Sequence, residues 1–235
     1  MSRLRWLWLT PVAFFVLRIL GGQLVEGAVD PRDAPETFSS KLLAEAEAYS
    51  LGTYLTGLST LAFLWFAWAL RVRLRQEKDN GGLADAAAFG AALVWGSLTV
   101  AASVVAATAP VLADYFNDAE GARLVANLEF GAAPLALTLF GAFAAGNGVA
   151  LRRASLVPAW LAWAGVIIGC LLIVTSALQP IAEPTASRSE EEVDNIVTFL
   201  TGFTSFALAP LWSIAVAIVL FRRDGGTPRD TDRPT

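Results

Sequence analysis

The stretch ASLVPAWLAWAGVIIGCLLIVTSALQPIA, residues 154–182, holds 29 consecutive residues without a charged side chain. A helix needs about 20 apolar residues to cross the roughly 30 Å of hydrocarbon in a bilayer. The stretch is therefore long enough to span a membrane as one helix. It lacks the alternation of apolar and polar residues that a lipid-facing barrel strand shows, and so it predicts a transmembrane helix.

Further uncharged runs divide the rest of the chain. Four of them are long enough to span a bilayer: residues 48–70, 86–113, 130–151 and 195–221. A weaker first segment begins at Trp6 and is interrupted by Arg18. A cleaved signal peptide is the alternative for this segment, because Arg3 and Arg5 precede a short apolar core. The internal arginine and the lack of a clear small-residue cleavage site favour a retained helix.

These runs predict an all-α protein, a bundle of six transmembrane helices in a single domain, residues 1–223. The predicted helices cover residues 6–22, 50–70, 86–112, 126–150, 157–178 and 196–221. Residues 224–235, with their Pro, Asp, Arg and Thr content, predict a disordered cytoplasmic tail. The composition agrees, since 16% of the residues are charged and a soluble domain usually has about 25%.

The distribution of basic residues predicts the orientation, because cytoplasmic loops carry an excess of Lys and Arg. With a cytoplasmic N-terminus, twelve of the 17 basic residues fall inside: Arg3, Arg5, Arg71, Arg73, Arg75, Lys78, Arg152, Arg153, Arg222, Arg223, Arg229 and Arg233. Most tryptophans lie near the same helix ends, and the three tyrosines lie near the opposite ends. We therefore predict a multi-pass protein of the bacterial inner (plasma) membrane with both termini in the cytoplasm.

The composition also excludes several kinds of site. The sequence has no histidine and one cysteine, Cys170. Without histidine there is no imidazole base, no Ser-His or Cys-His nucleophile pair, and most zinc sites are excluded. We find no catalytic motif, and we expect no catalytic residue, no metal and no cofactor.

Arg18 is a charged side chain inside a predicted span, where a charge is costly and often marks a functional site or an ion pair. Glu129 has a similar predicted depth at the start of the fourth span, so an Arg18–Glu129 ion pair is one hypothesis. The alternative is that Arg18 reaches the headgroups, because it lies only about 6 Å of helix rise from Gly22. The sequence leaves both open.

Other polar residues fall near the predicted outer helix ends. We predict that they line an outward-facing polar cavity: Tyr49, Asp114, Asn127, Gln179, Asn195, Thr198 and Thr201. The alternative for the hydroxyl groups is a hydrogen bond to a carbonyl of their own helix. Gly165 and Gly169 lie four residues apart, which predicts a helix-packing face within the bundle or between two copies.

Two segments carry a resemblance to a family. They are FLWFAWALRVRLRQEKDNGGLADAAAFGAAL, residues 63–93, and LRRASLVPAWLAWAGVIIGCLLI, residues 151–173. Each contains a helix end, a basic loop and a helix start, and Pro158, Trp160 and Leu161 form a Pro-x-Trp-Leu helix entry. The segments resemble an uncharacterised family of bacterial multi-pass membrane proteins, a domain of unknown function. The resemblance implies the six-helix fold and no particular activity.

Three functions stay open. The first is binding or transport of a small or lipophilic molecule through the outer polar cavity. The second is a membrane-embedded enzyme that acts on a lipid or isoprenoid with a carboxylate such as Glu129 or Asp114 as general acid. The third is an accessory or assembly subunit. The partners are the lipid bilayer, with a lipophilic ligand and a second copy of the chain left open, and the net charge of −4 argues against nucleic acid.

Overall fold

The computed structural model describes residues 8–29, 33–77, 82–178, 197 and 199–225. The regular secondary structure in this part of the chain is helical, which confirms the predicted all-α class. The helices are α1 (Thr10–Ala28), α2 (Pro35–Ala44), α3 (Ala46–Arg75), α4 (Gly82–Ala106), α5 (Ala109–Asp114), α6 (Ala119–Arg153), α7 (Ala159–Leu178) and α8 (Ala209–Gly225). A π-helical turn, Thr204–Leu208, precedes α8.

Five helical segments of the described chain are long and apolar enough to cross a membrane, which indicates a membrane protein. They are Ala46–Arg75, Gly82–Asp114, Ala119–Arg153, Ala159–Leu178 and Phe199–Arg223. The apolar stretch of α1, Thr10–Val25, is shorter. Most of the tail predicted at 224–235 lies outside the described residues.

Pro110 coincides with the break between α4 and α5. Proline lacks a backbone N–H and its ring crowds the carbonyl four residues earlier, which here belongs to Ala106. The Tyr49 hydroxyl donates a hydrogen bond to that carbonyl at 3.4 Å. Tyr49 itself is buried in an apolar cluster with Phe38 and Leu42 of α2, both fully buried. The short α2 and α5 thus close one end of the bundle.

α6 and α7 pack with their backbones in close contact. A Cβ added at Gly141 would lie 2.7 Å from the carbonyl oxygen of Gly169, and one added at Gly148 would lie 2.7 Å from that of Ala162. Real Cβ contacts are essentially never that short. Small residues therefore set the distance between these two helices, as is common where packing replaces the hydrophobic effect in lipid.

Gly165 makes room for α8. A Cβ at this position would lie 2.5 Å from Cζ2 of Trp212. The Trp212 Nε1 donates a hydrogen bond to the Leu161 carbonyl at 2.9 Å. Together with the Gly169 contact to α6, this places both glycines of the predicted packing face against helices of the same chain.

The arginines at the helix termini gather at one end of the bundle, called here the basic end. Arg71 and Arg73 lie near the end of α3, and Arg153 lies at the end of α6. Arg223 of α8 donates from Nη1 to the Ser155 carbonyl at 2.8 Å, which brings the end of α8 to the loop between α6 and α7. The cluster around Phe38 and Tyr49 lies at the opposite end.

A buried ion pair joins α3 to α4 at the basic end. Nε of Arg71 lies 3.8 Å from Oδ2 of Asp85, whose side chain is only 5% exposed. The Arg71 guanidinium carbon lies 4.3 Å from the centre of the Phe89 ring. Cation–π contact and ion pairing together hold this arginine of α3 against α4.

Candidate functional site

A cavity of about 400 Å³ lies between α1, α4, α6 and the helical segment that leads into α8. Small-molecule sites usually have about 300 to 1,000 Å³, so the volume suits a ligand. On α1 the lining includes Phe14, Arg18, Gly22 and Val25. Their three-to-four spacing places them on one face of the helix.

Small side chains on α6 make the space. Ala132, Ala133 and Ala136 line the cavity, and Thr99 and Ala102 line it from α4. Alanine and threonine fill little volume, so neighbouring helices can pack while a gap stays between their faces. The lining is therefore apolar over most of its surface.

Aromatic rings form the floor of the cavity, towards the basic end. Phe14, Trp95 and Phe140 line the cavity, and the Trp95 and Phe140 ring centroids are 5.4 Å apart. Phe63 is fully buried behind them, with its ring 4.8 Å from Trp95 and 4.9 Å from Phe140. Rings at these distances are in van der Waals contact, so the floor is packed.

The π-helical turn supplies the wall opposite α1. The Ala209 N–H bonds to the Thr204 carbonyl, five residues back, and Pro210 follows. Because Pro210 cannot donate to the carbonyl at position 206, the helix changes its bonding before the proline. Ser205, Phe206 and Pro210 all line the cavity. Helix turns of this kind occur frequently at functional sites.

The cavity reaches the lateral surface of the bundle between α1 and the π-helical turn. Ile19 and Phe206 line it, yet 41% of Ile19 and 51% of Phe206 is exposed. Both residues lie within the apolar part of their helices. A ligand can therefore reach the cavity from the side, where lipid tails surround a membrane protein.

Arg18 is the charged residue among the described residues that line the cavity. It is half-buried, and its Nη1 is shielded from solvent. Arg18 also makes a further interaction within the protein. A guanidinium carries five N–H donors in a planar fork.

Two hydroxyl groups in the helical segment before α8, those of Thr201 and Ser205, already donate hydrogen bonds within their own helix. Thr201 Oγ1 donates to the Val197 carbonyl at 2.7 Å, and Ser205 Oγ donates to the Thr201 carbonyl at 2.7 Å. Each hydroxyl has one proton, which these bonds use. Towards a ligand, these two hydroxyls can therefore only accept hydrogen bonds.

Residues 9–221 match the family described as a domain of unknown function, DUF4386. The chain belongs to this family. The predicted membership of an uncharacterised domain-of-unknown-function family is thereby confirmed. No curated protein and no solved structure matches the chain.

The structure of this DUF4386 chain places the predicted cavity residues in different surroundings. Thr201 lines the cavity. Tyr49 is buried under α2, Asp114 is exposed at the end of α5, and Asn127 is half-buried on α6; none of the three is among the lining residues. Three other predicted cavity residues lie outside the described residues: Gln179, Asn195 and Thr198.

The Arg18–Glu129 ion pair stays a hypothesis, because the Glu129 side chain lies outside the described residues. Asp114, the other carboxylate named as a general acid, is exposed and is not among the residues that line the cavity. Among the side chains that the structure describes, no group of three or more Cys, Asp and Glu residues is placed to hold a metal ion.

Two features of the DUF4386 chain were not predicted. One is the aromatic floor of Phe14, Trp95 and Phe140, which packs on Phe63 and so joins rings from four helices. The other is the Arg71–Asp85 ion pair. The second had a signal in the sequence, because the two residues bound neighbouring uncharged runs and an antiparallel hairpin brings such boundaries to equal depth.

Proposed function

We propose that the protein binds a small lipophilic molecule in the cavity between α1, α4, α6 and the π-helical turn. One observation carries the proposal: a cavity of about 400 Å³ has apolar walls, a lateral opening and a single described arginine. Sites for small molecules are mostly apolar with a few placed polar groups. A solid bundle, which an accessory subunit would be expected to have, lacks such a space.

The packed aromatic floor supports binding over free passage. A continuous channel would need space between Phe63 and its neighbours, whose ring centroids lie within about 5 Å. Transport would therefore require these rings to move apart. The exposure of Asp114 offers no support for acid catalysis in the cavity.

A cavity-filling substitution tests the proposal. Gly202 lines the cavity, and a Cβ added there would have no neighbour within 4 Å. We therefore expect the leucine side chain of Gly202→Leu to occupy part of the cavity. We expect native mass spectrometry of gently purified wild-type protein to show a retained lipophilic molecule, and we expect Gly202→Leu to retain about ten-fold less of it.

The matched control is Gly57→Leu. An added Cβ at Gly57 also meets nothing within 4 Å, but Gly57 does not line the cavity. Gly57→Leu should retain the molecule as wild type does. Equal retention by all three proteins would contradict the proposal, as would a wild type that retains nothing.

We also propose that all six predicted spans cross the inner membrane, with α1 as the first and both termini in the cytoplasm. α1 has 19 residues, about 28 Å of helix at 1.5 Å per residue. It packs closely on α3, since a Cβ at Gly21 would lie 2.7 Å from the Gly52 carbonyl oxygen. The basic end then faces the cytoplasm, and the cavity lies in the outer half.

Cysteine labelling tests this orientation. Cys170, the single cysteine, is replaced by Ala, and one cysteine is introduced at exposed Glu120 or at exposed Gln76 near the basic end. In intact spheroplasts we expect a membrane-impermeant maleimide to label Glu120→Cys and to leave Gln76→Cys unlabelled until the membrane is permeabilised. Labelling of Gln76→Cys alone would reverse the orientation.

A further inference from the structure

The walls of the cavity differ in how their hydroxyl groups can bond to a ligand. The hydroxyls of Thr56 on α3 and Thr99 on α4 have protons to donate, whereas those of Thr201 and Ser205 can only accept. We propose that the ligand is a lipophilic alcohol, whose hydroxyl accepts a hydrogen bond from the α3–α4 side and donates one to the segment before α8. The inference rests on the cavity-binding function proposed above and adds the chemical class of the ligand.

The side chains of Thr56 and Thr99 lack the hydrogen bond that threonine often makes in a helix. On α3, Thr53 and Thr60 each donate to the carbonyl four residues earlier. Among the residues that the structure describes, no hydrogen bond engages the hydroxyl of Thr56 or Thr99. Both residues line the cavity, yet they are only 3% and 6% exposed. Because an unpaired buried hydroxyl is costly, a ligand that bonds to these groups would gain affinity.

The two hydroxyls lie at similar depth in the bundle. The ion pair of Arg71 with Asp85 sets the register of α3 against α4. Thr56 lies fifteen residues before Arg71, and Thr99 lies fourteen residues after Asp85, which are about 22 and 21 Å of helix rise. Oγ1 of Thr56 lies beside α1, because a Cβ added at Gly21 would lie 2.8 Å from it. One polar group of a ligand can therefore lie level with both hydroxyls.

The indole of Trp95 adds a donor to the same side of the cavity. Trp95 lines the cavity one helical turn below Thr99, and an indole N–H can only donate. Within the described part of the chain, this N–H has no hydrogen-bond acceptor. Arg18 on α1 already interacts within the protein, so its N–H groups are not counted among the donors. The α3–α4 side thus favours a ligand oxygen that accepts hydrogen bonds.

The segment before α8 favours a ligand that also donates. Thr201 and Ser205 give their protons to carbonyls of their own helix but keep lone pairs. A carbonyl, an ether or a carboxylate has no proton for them, and an ammonium group cannot accept from Thr56 or Thr99. A hydroxyl both donates and accepts, so an alcohol suits both sides of the cavity.

The rest of the lining suits a hydrocarbon. The packed aromatic floor lies about 6 Å of helix rise below Thr99. The lateral opening between Ile19 and Phe206 leads to the surface of the bundle. The apolar part of the alcohol lies on the floor and leaves through this opening, so its chain is free to exceed the length of the cavity.

The experiment compares three probes built on one hydrocarbon chain: oleyl alcohol, its methyl ether and the hydrocarbon 9-octadecene. The alcohol donates and accepts, the ether only accepts, and the hydrocarbon does neither. The full-length protein is delipidated in an uncharged detergent, and equilibrium binding of each radiolabelled probe is measured. Each affinity is compared between variants for the same probe, so the different partition of the probes into micelles cancels.

Thr56→Val/Thr99→Val removes the two donors and keeps the side chains close in shape. We expect the affinity for the alcohol and for the ether to fall about ten-fold, as the loss of a hydrogen bond predicts. The affinity for the hydrocarbon should stay within about two-fold. The matched control is Thr53→Val/Thr60→Val, because both residues are buried on α3 and neither lines the cavity. This control should bind all three probes as wild type does.

Thr201→Val/Ser205→Ala removes the two acceptors. We expect the affinity for the alcohol to fall about five-fold and that for the ether to stay within about two-fold, because the ether has no proton to donate. The control is Ser213→Ala on α8. Ser213 is fully buried, donates to the Ala209 carbonyl at 3.0 Å and does not line the cavity, so its loss should change no affinity.

Several results would overturn the inference while the cavity function stands. One is an unchanged affinity for the alcohol in Thr56→Val/Thr99→Val, and another is an equal loss for all three probes, which would indicate altered packing. An equal loss for alcohol and ether in Thr201→Val/Ser205→Ala would exclude the donated hydrogen bond. The cavity function itself fails if wild type binds no probe or if Gly202→Leu weakens none. Where thermal unfolding shows that a double variant does not fold, Thr99→Val and Ser205→Ala provide the same comparisons.

Discussion

We expect Gly141→Ala to destabilise the protein by about 1 to 3 kcal/mol, because it overpacks a contact that cannot relax. The added methyl group would lie 2.7 Å from the Gly169 carbonyl oxygen and 2.9 Å from Cγ1 of Ile173. The first of these atoms belongs to backbone in the middle of α7. The helices must therefore move apart, and the Gly148 contact further along the same interface would loosen with them.

Gly131→Ala is the matched control. Gly131 lies on the same helix, and a Cβ there has no neighbour within 4 Å. Alanine has a higher helix propensity than glycine by up to about 1 kcal/mol, so this variant should be as stable as wild type or slightly more. Unfolding in mixed micelles, followed by the fluorescence of the eight tryptophans, gives both free energies. Equal values for the two variants would contradict the close α6–α7 crossing.

The existence of the helices could be predicted because lipid leaves the backbone few choices. Backbone N–H and C=O groups must be satisfied within the segment, so the uncharged run 154–182 implies a helix such as α7. Helix bounds follow less directly. α3 continues to Arg75 and α6 begins at Ala119, since a helix can extend beyond the hydrocarbon while charges mark only where the apolar part ends.

The surroundings of Tyr49 show why the site was harder to predict. A tyrosine near a helix end is typical of the membrane interface, which is why the sequence predicts Tyr49 in an outward-facing polar cavity. Its hydroxyl instead contacts a carbonyl in α4 that Pro110 leaves without its usual partner. The burial of the ring depends on α2, which is distant in sequence from both α4 and α5. No periodicity within one segment contains that information.

The cavity was hard to predict for the same reason, because it depends on contacts between different helices. Arg18 and Thr201 are polar residues of predicted spans, and both line the cavity. The alanines of α6 and the aromatic floor carry no polar signal, and small residues predict close packing as readily as a gap. Which of the two occurs depends on the π-helical turn before Pro210, and that turn follows from tertiary packing as well as from the proline.

We expect Asp85→Ala to destabilise the protein by about 3 kcal/mol, at the lower end of the range for removing one partner of a buried ion pair. The variant leaves Arg71, which is 23% exposed, without the carboxylate 3.8 Å from its Nε. The Phe89 ring, 4.3 Å from the guanidinium carbon, keeps the arginine in place. The charge therefore cannot escape fully to water, although its partial exposure limits the cost.

The double variant Arg71→Leu/Asp85→Leu separates ion pairing from loss of packing. Replacing both partners of a buried pair with apolar residues is often neutral or stabilising, so the double variant should recover most of the stability that Asp85→Ala loses. Asp114→Ala is the control, because Asp114 is exposed and such surface changes usually stay within about 0.5 kcal/mol. The measurement is the free energy of unfolding in mixed micelles for all three variants. If the double variant is as unstable as Asp85→Ala, the side chain of Asp85 acts through packing and the ion pair contributes little to the α3–α4 hairpin.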